Sequence, residues 1–396
     1  MEVEIRRRVR IPGAMKLARC RKCPELGPRL LFFSGGTALR PLSRRLIDYT
    51  HNSIHLITPF DSGGSSAALR EAFRMPAIGD VRNRLMALAD QSLHGNPAVF
   101  ALFSHRLPKR AARTALEEEL DRLTRGRHPL VARIPDPLRK IIRNHLQRFR
   151  EAMPAQFDLR GASIGNLILA AGYLENRRHL DPVIYIFSRL VQVRGIVRPV
   201  TNRHLHLVAE LANGRLLRGQ HRFAGEGRQR LPARIRRILL TERLYDPRPM
   251  RPTIRQKIEA RIASADLICY PMGSFFSSVI ANLLPRGVGR AIAANPVPKI
   301  FVPNLGRDPE LTGLSVADQV EVLLDTLRAD DPRRLRDEQL LQFLLLDPRS
   351  GRYRRGIDTA RIEKRGVRIL RLPLVTPHSD PLIDESLLLP ILISLA

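Results

Sequence analysis

Residues 29–66 read RLLFFSGGTALRPLSRRLIDYTHNSIHLITPFDSGGSS, and this stretch decides the fold class. The apolar run 30–33 stops at the turn 34–37, and a segment with leucines at helical spacing follows. A second apolar run, 54–58, ends in the loop 61–66. Short, wholly apolar runs of this kind are typical of buried parallel strands. Because strands and helices alternate, the sequence predicts an α/β fold built on a parallel sheet.

The same alternation continues along the chain. Helices are expected over 38–49, 80–90, 163–176, 254–263 and 275–284, and another helix is expected to begin at the serines of 61–66. Further strands are expected over 196–200, 205–211, 215–219, 265–270, 299–302 and 367–374. Asn213 and Gly214, between two of these strands, are a hairpin signal. Charged and apolar residues at helical spacing predict a helical insertion over 92–160. We expect an N-terminal extension over 1–28 and one domain over 29–396 that carries this insertion.

The chain is strongly basic. Its 396 residues include 67 Lys and Arg against 38 Asp and Glu, a formal net charge of +29. Seven of the basic residues are Lys, and a GC-rich coding bias produces such an excess of Arg whatever the function. With 44% hydrophobic residues, the composition excludes a disordered polyelectrolyte. A solvated basic surface is favoured over a nucleic-acid site, although the basic helices of 92–160 keep a nucleic-acid or acidic-partner binder as a third hypothesis.

Cysteine content and hydropathy bear on the compartment. Three cysteines are too few for a disulfide framework, and free thiols fit a reducing cytosol, so a cytoplasmic location is expected. Cys20 and Cys23 have zinc-like spacing without a second ligand pair, which favours a plain N-terminal loop over a metal or redox site. No apolar stretch follows the first arginines, and no apolar run reaches about 18 residues, so neither a secretory signal nor a membrane span is expected. The apolar tail 386–396 predicts a docked C-terminal element.

The glycine turns follow predicted strands, where open parallel sheets bind their ligands. Glycine lets the backbone approach an anion, and amide N–H groups at a helix N-terminus attract phosphate. Asp61 follows the second strand and Asp80 opens a helix, so two carboxylates would lie beside a phosphate site and would suit Mg²⁺. The alternative role for both is helix capping. Arg70, Arg82 and Arg84 flank these loops and are candidates for neutralising a diphosphate.

Other candidate sites are weaker. His204 and His206 would share one strand face, but two histidines alone do not make a metal site. The sequence lacks a Gly-x-Ser-x-Gly elbow, and Cys269 lies inside a predicted strand, so nothing supports a nucleophilic triad.

Several strings, in the same order and spacing, resemble the CofD/YvcK superfamily over most of residues 29–325. They are DSGGSS (61–66), GDVRNRLMALA (79–89), GNLILA (165–170), LVAELANG (207–214), ADLICYPMGSFFSSVIANLL (265–284) and residues 299–304. The serine loop is nearer to the branch with a DGGSS-type loop than to the true 2-phospho-L-lactate transferases. The chain is most similar in character to the CofD-like proteins of the GAK gene system, which makes an ATP-grasp protein a candidate partner.

The resemblance implies a Rossmann-like fold with helices on both faces of a mainly parallel sheet, and a homodimer. It also implies a nucleotide diphosphate or sugar nucleotide as the ligand, with Mg²⁺ as cofactor. Asp61 and Asp80 would be the catalytic and metal-binding residues. The ligand- and phosphate-binding residues would be Gly35, Gly36, Thr37, Ser62, Gly63, Gly64, Ser65, Ser66, Arg82, Asn83, Asn166, Gly273, Ser274, Phe276, Ser278 and Asn304.

The sequence departs from the family pattern at several of these positions. Ser34 and Ala38 replace the outer glycines of the first loop, and Ser62 stands where a second aspartate is usual. Phe276 stands where the sugar-nucleotide branch commonly has Tyr. The leading hypothesis is a CofD-like transferase, Mg²⁺-assisted, that acts on a nucleotide- or phosphate-linked donor. The second is a non-catalytic, nucleotide-sugar-binding regulatory protein that uses the same pocket.

Overall fold

The computed structural model describes residues 8–92, 95–224, 231–246, 248–349, 353 and 356–396. The strands in these residues are β1 (Leu30–Ser34), β2 (Ile54–Ile57), β3 (Ile196–Pro199), β4 (His206–Leu211), β5 (Leu216–Arg218), β6 (Ile235–Thr241), β7 (Leu267–Tyr270), β8 (Lys299–Phe301), β9 (Phe343–Leu346) and β10 (Arg368–Arg371). Seven of them form one sheet in the order β10-β9-β8-β7-β1-β2-β3, and the neighbouring strands run parallel.

The order of this sheet reverses between β1 and β7. The chain moves from β1 outward to β3 on one side, then returns to β7 beside β1 and moves outward to β10 on the other. This is the doubly wound arrangement of Rossmann-like folds, in which a crevice opens beyond the carboxyl ends of the two central strands. The predicted fold class is therefore confirmed.

The α-helices of the described residues connect and cover these strands. They are α1 (Ala14–Lys22), α2 (Arg40–Leu46), α3 (Gly64–Phe73), α4 (Gly79–Ala87), α5 (Pro97–Ser104), α6 (Arg113–Thr124), α7 (Pro129–Ala132), α8 (Leu138–Ala152), α9 (Ile164–Glu175), α10 (Leu180–Leu190), α11 (Gln256–Ala263), α12 (Ala281–Leu283), α13 (Val288–Ala294), α14 (Val316–Arg328), α15 (Asp337–Leu340), α16 (Thr359–Lys364) and α17 (Glu385–Leu395). Three-residue 3₁₀ helices lie at Pro24–Leu26, Gln220–Arg222 and Pro309–Leu311, and a π-helical turn spans Phe275–Ile280.

Both faces of the large sheet are buried. Leu56 and Ile57 are neighbours on β2 and therefore point to opposite faces, and each belongs to a different apolar cluster. The first cluster contains most of the sheet and α17, and the second contains the helices α5 to α10. Burial on both faces explains why β7, and β1 as far as Phe33, are buried and largely apolar instead of alternating with polar residues.

A separate antiparallel sheet has the order β5-β4-β6. Its β4–β5 hairpin is the one predicted at Asn213 and Gly214, and Gly214 adopts a left-handed φ of 81°. Strand β6 was not predicted, because Arg236 and Arg237 interrupt its apolar pattern. Both arginines are exposed and pair with Glu210 on β4, so the sheet has one solvated face.

The apolar tail packs as α17, as expected for a docked C-terminal element. Leu388 and Leu392 are buried in the first cluster, and the helix contacts α1 and α2. Ser394 Oγ accepts the Gly13 N–H at 2.8 Å, which fixes the start of α1 against this tail. No helix in the part of the chain that the structure describes is long and apolar enough to cross a membrane.

Candidate functional site

A cavity of about 260 Å³ lies beyond the carboxyl ends of β1 and β7, where the strand order reverses. It brings together eight of the residues predicted for the site: Gly35, Gly36, Thr37, Asp61, Asp80, Gly273, Ser274 and Ser278. The other lining residues are Ser34, Ala38, Leu39, Gln220, Ala224, Met272 and Val279. Among the described lining residues there is no Lys or Arg, so the ionisable side chains that face this cavity are two carboxylates.

The turn after β1 needs glycine because the backbone is closely surrounded. A Cβ atom at Gly35 would lie 2.3 Å from Ser278 Oγ, and one at Gly36 would lie 2.4 Å from Asp80 Oδ1. Both distances are far below van der Waals contact, so a side chain at either position would displace a group that faces the cavity. These glycines therefore hold the loops after β1 and β7 and the start of α4 together.

Arg84 stabilises the same turn through hydrogen bonds to its backbone. Its guanidinium is fully buried and donates to the carbonyl oxygens of Leu39, Gly35 and Gly36, the first two at 3.0 and 3.1 Å, and to Ser43 Oγ. Burial lowers the pKa of Arg84 to about 10, which still leaves it charged at neutral pH. Arg84 therefore stabilises the loop by binding its carbonyl groups and does not line the cavity.

The other two candidate arginines also bind protein groups. Arg70 donates to the carbonyl oxygens of Pro59 and Leu205 at 3.0 and 2.7 Å. Arg82, only 7% exposed, donates to Asn83 Oδ1 at 2.7 Å and does not line the cavity. The predicted ligand residues Arg82 and Asn83 thus bind each other in the structure.

Asp61 and Asp80 face the cavity and neither is a helix N-cap, because Asp61 precedes the N-cap of α3 and Asp80 lies in the first turn of α4. The N-cap positions of α3 and α4 are Gly63 and Ile78. Asp61 Oδ1 accepts the Gly63 N–H at 2.9 Å, in the turn before α3. Burial raises the pKa of both carboxyl groups, and the charge of Asp61 contributes to raising that of Asp80 to about 7.

The serine loop is bonded mainly to other parts of the protein. Ser66 Oγ accepts the Gly79 N–H at 3.1 Å, and Ser65 Oγ accepts from Asn166 Nδ2 at 2.9 Å. Asn166 is 1% exposed, and its Oδ1 has no hydrogen-bond partner among the residues that the structure describes. These contacts tie the loop after β2 to α4 and α9, and Ser65, Ser66 and Asn166 do not line the cavity.

Ser62 joins the loop to the smaller sheet. Its Oγ lies 2.9 Å from His221 Nδ1 and accepts the His221 N–H at 3.1 Å, and its own N–H reaches Gln220 Oε1 at 3.4 Å. Gln220 and Ala224 thereby form one wall of the cavity. Sequence reasoning missed this wall because residues 62 and 220 are far apart in the chain, and no local pattern marks the contact.

The turn after β7 is held by two buried carboxylates. Glu310 Oε2 accepts the N–H groups of Phe276 and Ser277 at 2.7 and 2.9 Å, and Asp308 accepts that of Phe275 at 2.9 Å. These three amides are therefore already bonded. Phe276, a predicted ligand contact, is fully buried in the core and does not line the cavity.

The remaining predicted positions lie at the borders of the site. Gly63 and Gly64 form the turn into α3, with a left-handed φ of 51° at Gly64. Asn304 Oδ1 accepts the Gly306 N–H at 3.1 Å after β8. None of these three lines the cavity.

The other candidate metal sites are incomplete. Cys20 is buried and Cys23 is exposed, and both are free thiols. His204 Nδ1 lies 2.7 Å from the Met75 carbonyl, so that nitrogen is taken by a backbone group. Burial and the charge of Arg70 lower the pKa of His206 to about 4.

A cluster that the sequence did not suggest contains His105, Glu119 and His128, whose ligand-type atoms lie within 4.8 Å of one another. His105 Nε2 and His128 Nε2 lie 2.8 and 3.9 Å from Glu119 Oε1. His128 Nδ1 accepts the Leu130 N–H at 3.2 Å, so the hydrogen of the neutral ring sits on Nε2 and points towards Glu119. This arrangement fits a hydrogen-bonded network better than metal ligation.

Comparison with known proteins gives a consistent result. The family 2-phospho-L-lactate transferase CofD matches residues 30–375. The Gluconeogenesis factor of Bacillus subtilis is 30% identical over 297 residues, which is 75% of this chain and 74% of that protein. A relative from Deinococcus radiodurans is 30% identical over 304 residues, 76% of this chain, and the chain spans 52% of its length.

A solved structure also shares the fold. The crystal structure of a member of the UPF0052 family from Bacillus halodurans has a TM-score of 0.65 and 23% identity. The similarity covers 93% of this chain and 98% of that one.

Proposed function

The chain belongs to the 2-phospho-L-lactate transferase CofD family, and on this premise we propose that it is a Mg²⁺-assisted transferase acting on a nucleotide- or phosphate-linked donor. One observation carries the proposal. The cavity at the strand-order reversal presents Asp61 and Asp80, and no Lys or Arg lines it among the described residues. The two carboxylates that face the cavity would repel a diphosphate, so a divalent cation would favour its binding there.

The two carboxylates fit Mg²⁺. Their raised pKa values reflect burial and, at Asp80, repulsion from Asp61, and a cation held by these carboxylates would offset both effects. Mg²⁺ takes one or two carboxylates and completes its coordination with water and substrate phosphate oxygens. When bound, it would neutralise charge on the transferred phosphoryl group.

The chain's own groups would position the reactants. The glycine turn 34–37 would let the donor phosphates approach the backbone, with Arg84 keeping the turn's carbonyl groups directed away from the cavity. Asp61 would hold the cation or accept the proton of an acceptor hydroxyl, since a carboxylate with a raised pKa is the better base near neutral pH. Gln220 and Ala224 would shield the reacting atoms from water on one side.

Thermal-shift measurements with nucleoside diphosphates and sugar nucleotides, with and without Mg²⁺, test the proposal. A ligand at about 100 times its Kd adds about 2.7 kcal/mol to the free energy of unfolding, which is readily detected. We expect Mg²⁺ to increase the stabilisation that these ligands give, and this Mg²⁺-dependent increase to be lost in Asp61→Asn and Asp80→Asn. Glu118→Gln, on the exposed face of α6, is the matched control and is expected to behave as the wild type.

Three outcomes separate the hypotheses. Release of a nucleotide product that depends on Mg²⁺ and Asp61 supports the transferase. Binding that is unchanged by EDTA, is weakened by Gly36→Ala and is never followed by turnover supports the nucleotide-sugar-binding regulator instead. No stabilisation by any of these ligands, with or without Mg²⁺, overturns both.

A further inference from the structure

A second and larger cavity, of about 580 Å³, lies beyond the carboxyl end of the edge strand β3. It is formed by residues 198–203 together with residues 252–261, which include the first turns of α11. It shares no lining residue with the cavity that contains Asp61 and Asp80. Its volume falls in the range of small-molecule binding sites.

The walls of this cleft are strongly cationic. Five basic side chains line it, Arg198, Arg203, Arg255, Lys257 and Arg261, against the single carboxylate of Asp181. This excess of basic side chains lies on one concave surface, which distinguishes it from the diffuse excess of Arg in the whole chain.

The single carboxylate of the cleft offsets only part of this positive charge. Asp181 is 3.6 Å from both Arg198 Nε and Lys257 Nζ, beyond hydrogen-bond distance, so it is shared loosely between them. Arg203 is paired with Glu242 at 2.6 Å.

Arg255 and Arg261 remain for a ligand. Both are exposed, and within the described ranges neither lies within ion-pair distance of a carboxylate. In the described part of the chain, the guanidinium of Arg255 contacts the ring of His179, with two of its nitrogens at 3.4 and 3.5 Å from Nδ1. Their side chains can therefore reorient towards an anion without breaking a salt bridge.

The base of the cleft is preformed. Val200, Pro252 and Ile258 are buried beneath the basic side chains, so the cleft persists without a ligand. Helix α11 begins at Gln256, and the side chain of its N-cap residue Arg255 accepts no hydrogen bond from its amides, so the helix start adds partial positive charge at the same place. Together these features favour a compact anion with several acceptor oxygens.

An extended peptide pairing with the edge strand fits less well. Pro199 has no N–H to donate, and the Arg198 guanidinium already donates to the Val197 carbonyl at 2.9 Å. These two residues obstruct strand addition along β3.

We propose that the cleft between β3 and α11 is a second anion-binding site, which takes the phosphate chain of a small oligophosphate, with Arg255 and Arg261 as its principal ligands. The site acts independently of the metal-dependent cavity, because its own side chains supply the positive charge. Free oligophosphate and the phosphate chain of a nucleotide share this chemistry, and the choice of probe distinguishes them.

Calorimetric titration of the full chain with tripolyphosphate, and separately with a nucleoside triphosphate, tests the site in metal-free buffer. We expect the wild type to bind, and Arg255→Ala/Arg261→Ala to weaken binding by at least about tenfold, since charged hydrogen bonds are lost. The control Arg110→Ala/Arg133→Ala removes two exposed arginines outside both cavities and is expected to change Kd less than about twofold. Tighter binding of the triphosphate nucleotide than of tripolyphosphate would identify a nucleotide as the preferred source.

A second variant separates this site from the proposed function. Asp61→Asn/Asp80→Asn should bind tripolyphosphate as the wild type does, whether or not the transferase proposal holds. Absence of binding by the wild type overturns the proposal, as does equal weakening by the control pair. Tight binding of a single-stranded oligonucleotide, with none of either small probe, would overturn it in favour of a nucleic-acid surface.

Discussion

The Asp80 carboxylate is packed against the backbone of Gly36, so that a Cβ atom at residue 36 would lie 2.4 Å from Asp80 Oδ1. The loop after β1 can therefore pack this closely against the first turn of α4 only because residue 36 has no side chain. The position of a proposed metal ligand depends on the absence of a side chain in a loop more than forty residues earlier.

Gly36→Ala should consequently act on Asp80. We expect the methyl group to push the carboxylate aside and to weaken Mg²⁺-dependent ligand binding by about tenfold or more, with a smaller effect on stability, about 1–2 kcal/mol. Ligand titration and urea unfolding of the same samples measure the two effects. Gly306→Ala is the control, because its Cβ would meet the end of the Leu382 side chain at 3.1 Å and Asn304 Oδ1 at 3.4 Å, and neither residue lines the cavity. Wild-type binding by Gly36→Ala would contradict the assignment of Asp80.

The raised pKa of Asp80, about 7, predicts a pH dependence of stability without metal. The folded state disfavours the ionised carboxyl. The contribution of Asp80 to the free energy of unfolding is therefore fully present below about pH 4 and is lost as the pH rises to about 7. Asp80→Asn should therefore be more stable than the wild type at pH 8, by on the order of 1–3 kcal/mol, and about equal to it at pH 4.

Mg²⁺ should reverse this difference. Urea unfolding at pH 5 and pH 8 is expected to show that Mg²⁺ stabilises the wild type more at the higher pH, and that Asp80→Asn does not respond. A Mg²⁺ effect of equal size at both pH values, or one retained in the variant, would exclude Asp80 as a ligand.

The Ser62–His221 contact predicts a local effect on the wall of the cavity. Ser62→Ala removes both hydrogen bonds of the hydroxyl to His221, at a cost of about 0.5–1.5 kcal/mol because the pair is exposed. Hydrogen–deuterium exchange should become faster over 219–224, while the exchange of β1 and β7 stays unchanged. Ser92→Ala, at an exposed loop position, provides the comparison. Unchanged exchange over 219–224 would mean that other contacts hold the wall.

Arg84 is predicted to be structural. Arg84→Lys keeps the charge but cannot reach the carbonyl groups of Leu39, Gly35 and Gly36 together, so we expect a loss of about 2–4 kcal/mol in the free energy of unfolding. Arg110→Lys, an exposed substitution, should change it by less than about 0.5 kcal/mol. A stable Arg84→Lys variant with weakened ligand binding would instead favour direct contact with phosphate.

The sequence predicted the sheet well because buried parallel strands and glycine turns leave local signals, as at 30–37. It did not predict strand β9 of that sheet, nor strand β6, where Arg236 and Arg237 hide the apolar face. The roles of individual side chains depended on distant contacts: Arg84 binds a loop formed by residues 34–39, and Ser62 binds His221. Local pattern indicated which loops converge, but only the tertiary structure separates residues that line the cavity from those that support it.

Glu310 illustrates such a supporting residue and carries the last prediction. It accepts the N–H groups of Phe276 and Ser277 and the Ser277 hydroxyl, the last at 2.5 Å, in a fully buried position. Burial and the charge of Asp308 raise its pKa to about 8, so its contribution to stability is present at low pH and is lost between about pH 4.5 and 8.

Two substitutions separate the effect of the Glu310 side chain's shape on stability from the effect of its charge. Glu310→Ala leaves three buried donors without a partner and should cost about 3–5 kcal/mol in the free energy of unfolding. Glu310→Gln keeps one acceptor oxygen and stays neutral, so at pH 5 we expect a smaller loss in the free energy of unfolding than for Glu310→Ala. At pH 9 this loss should be smaller still, because ionisation of the buried carboxyl destabilises the wild type. Urea unfolding at both pH values measures this. If the loss for Glu310→Gln were larger at pH 9 than at pH 5, Glu310 would stabilise the turn after β7 as a carboxylate, and its pKa would not be raised.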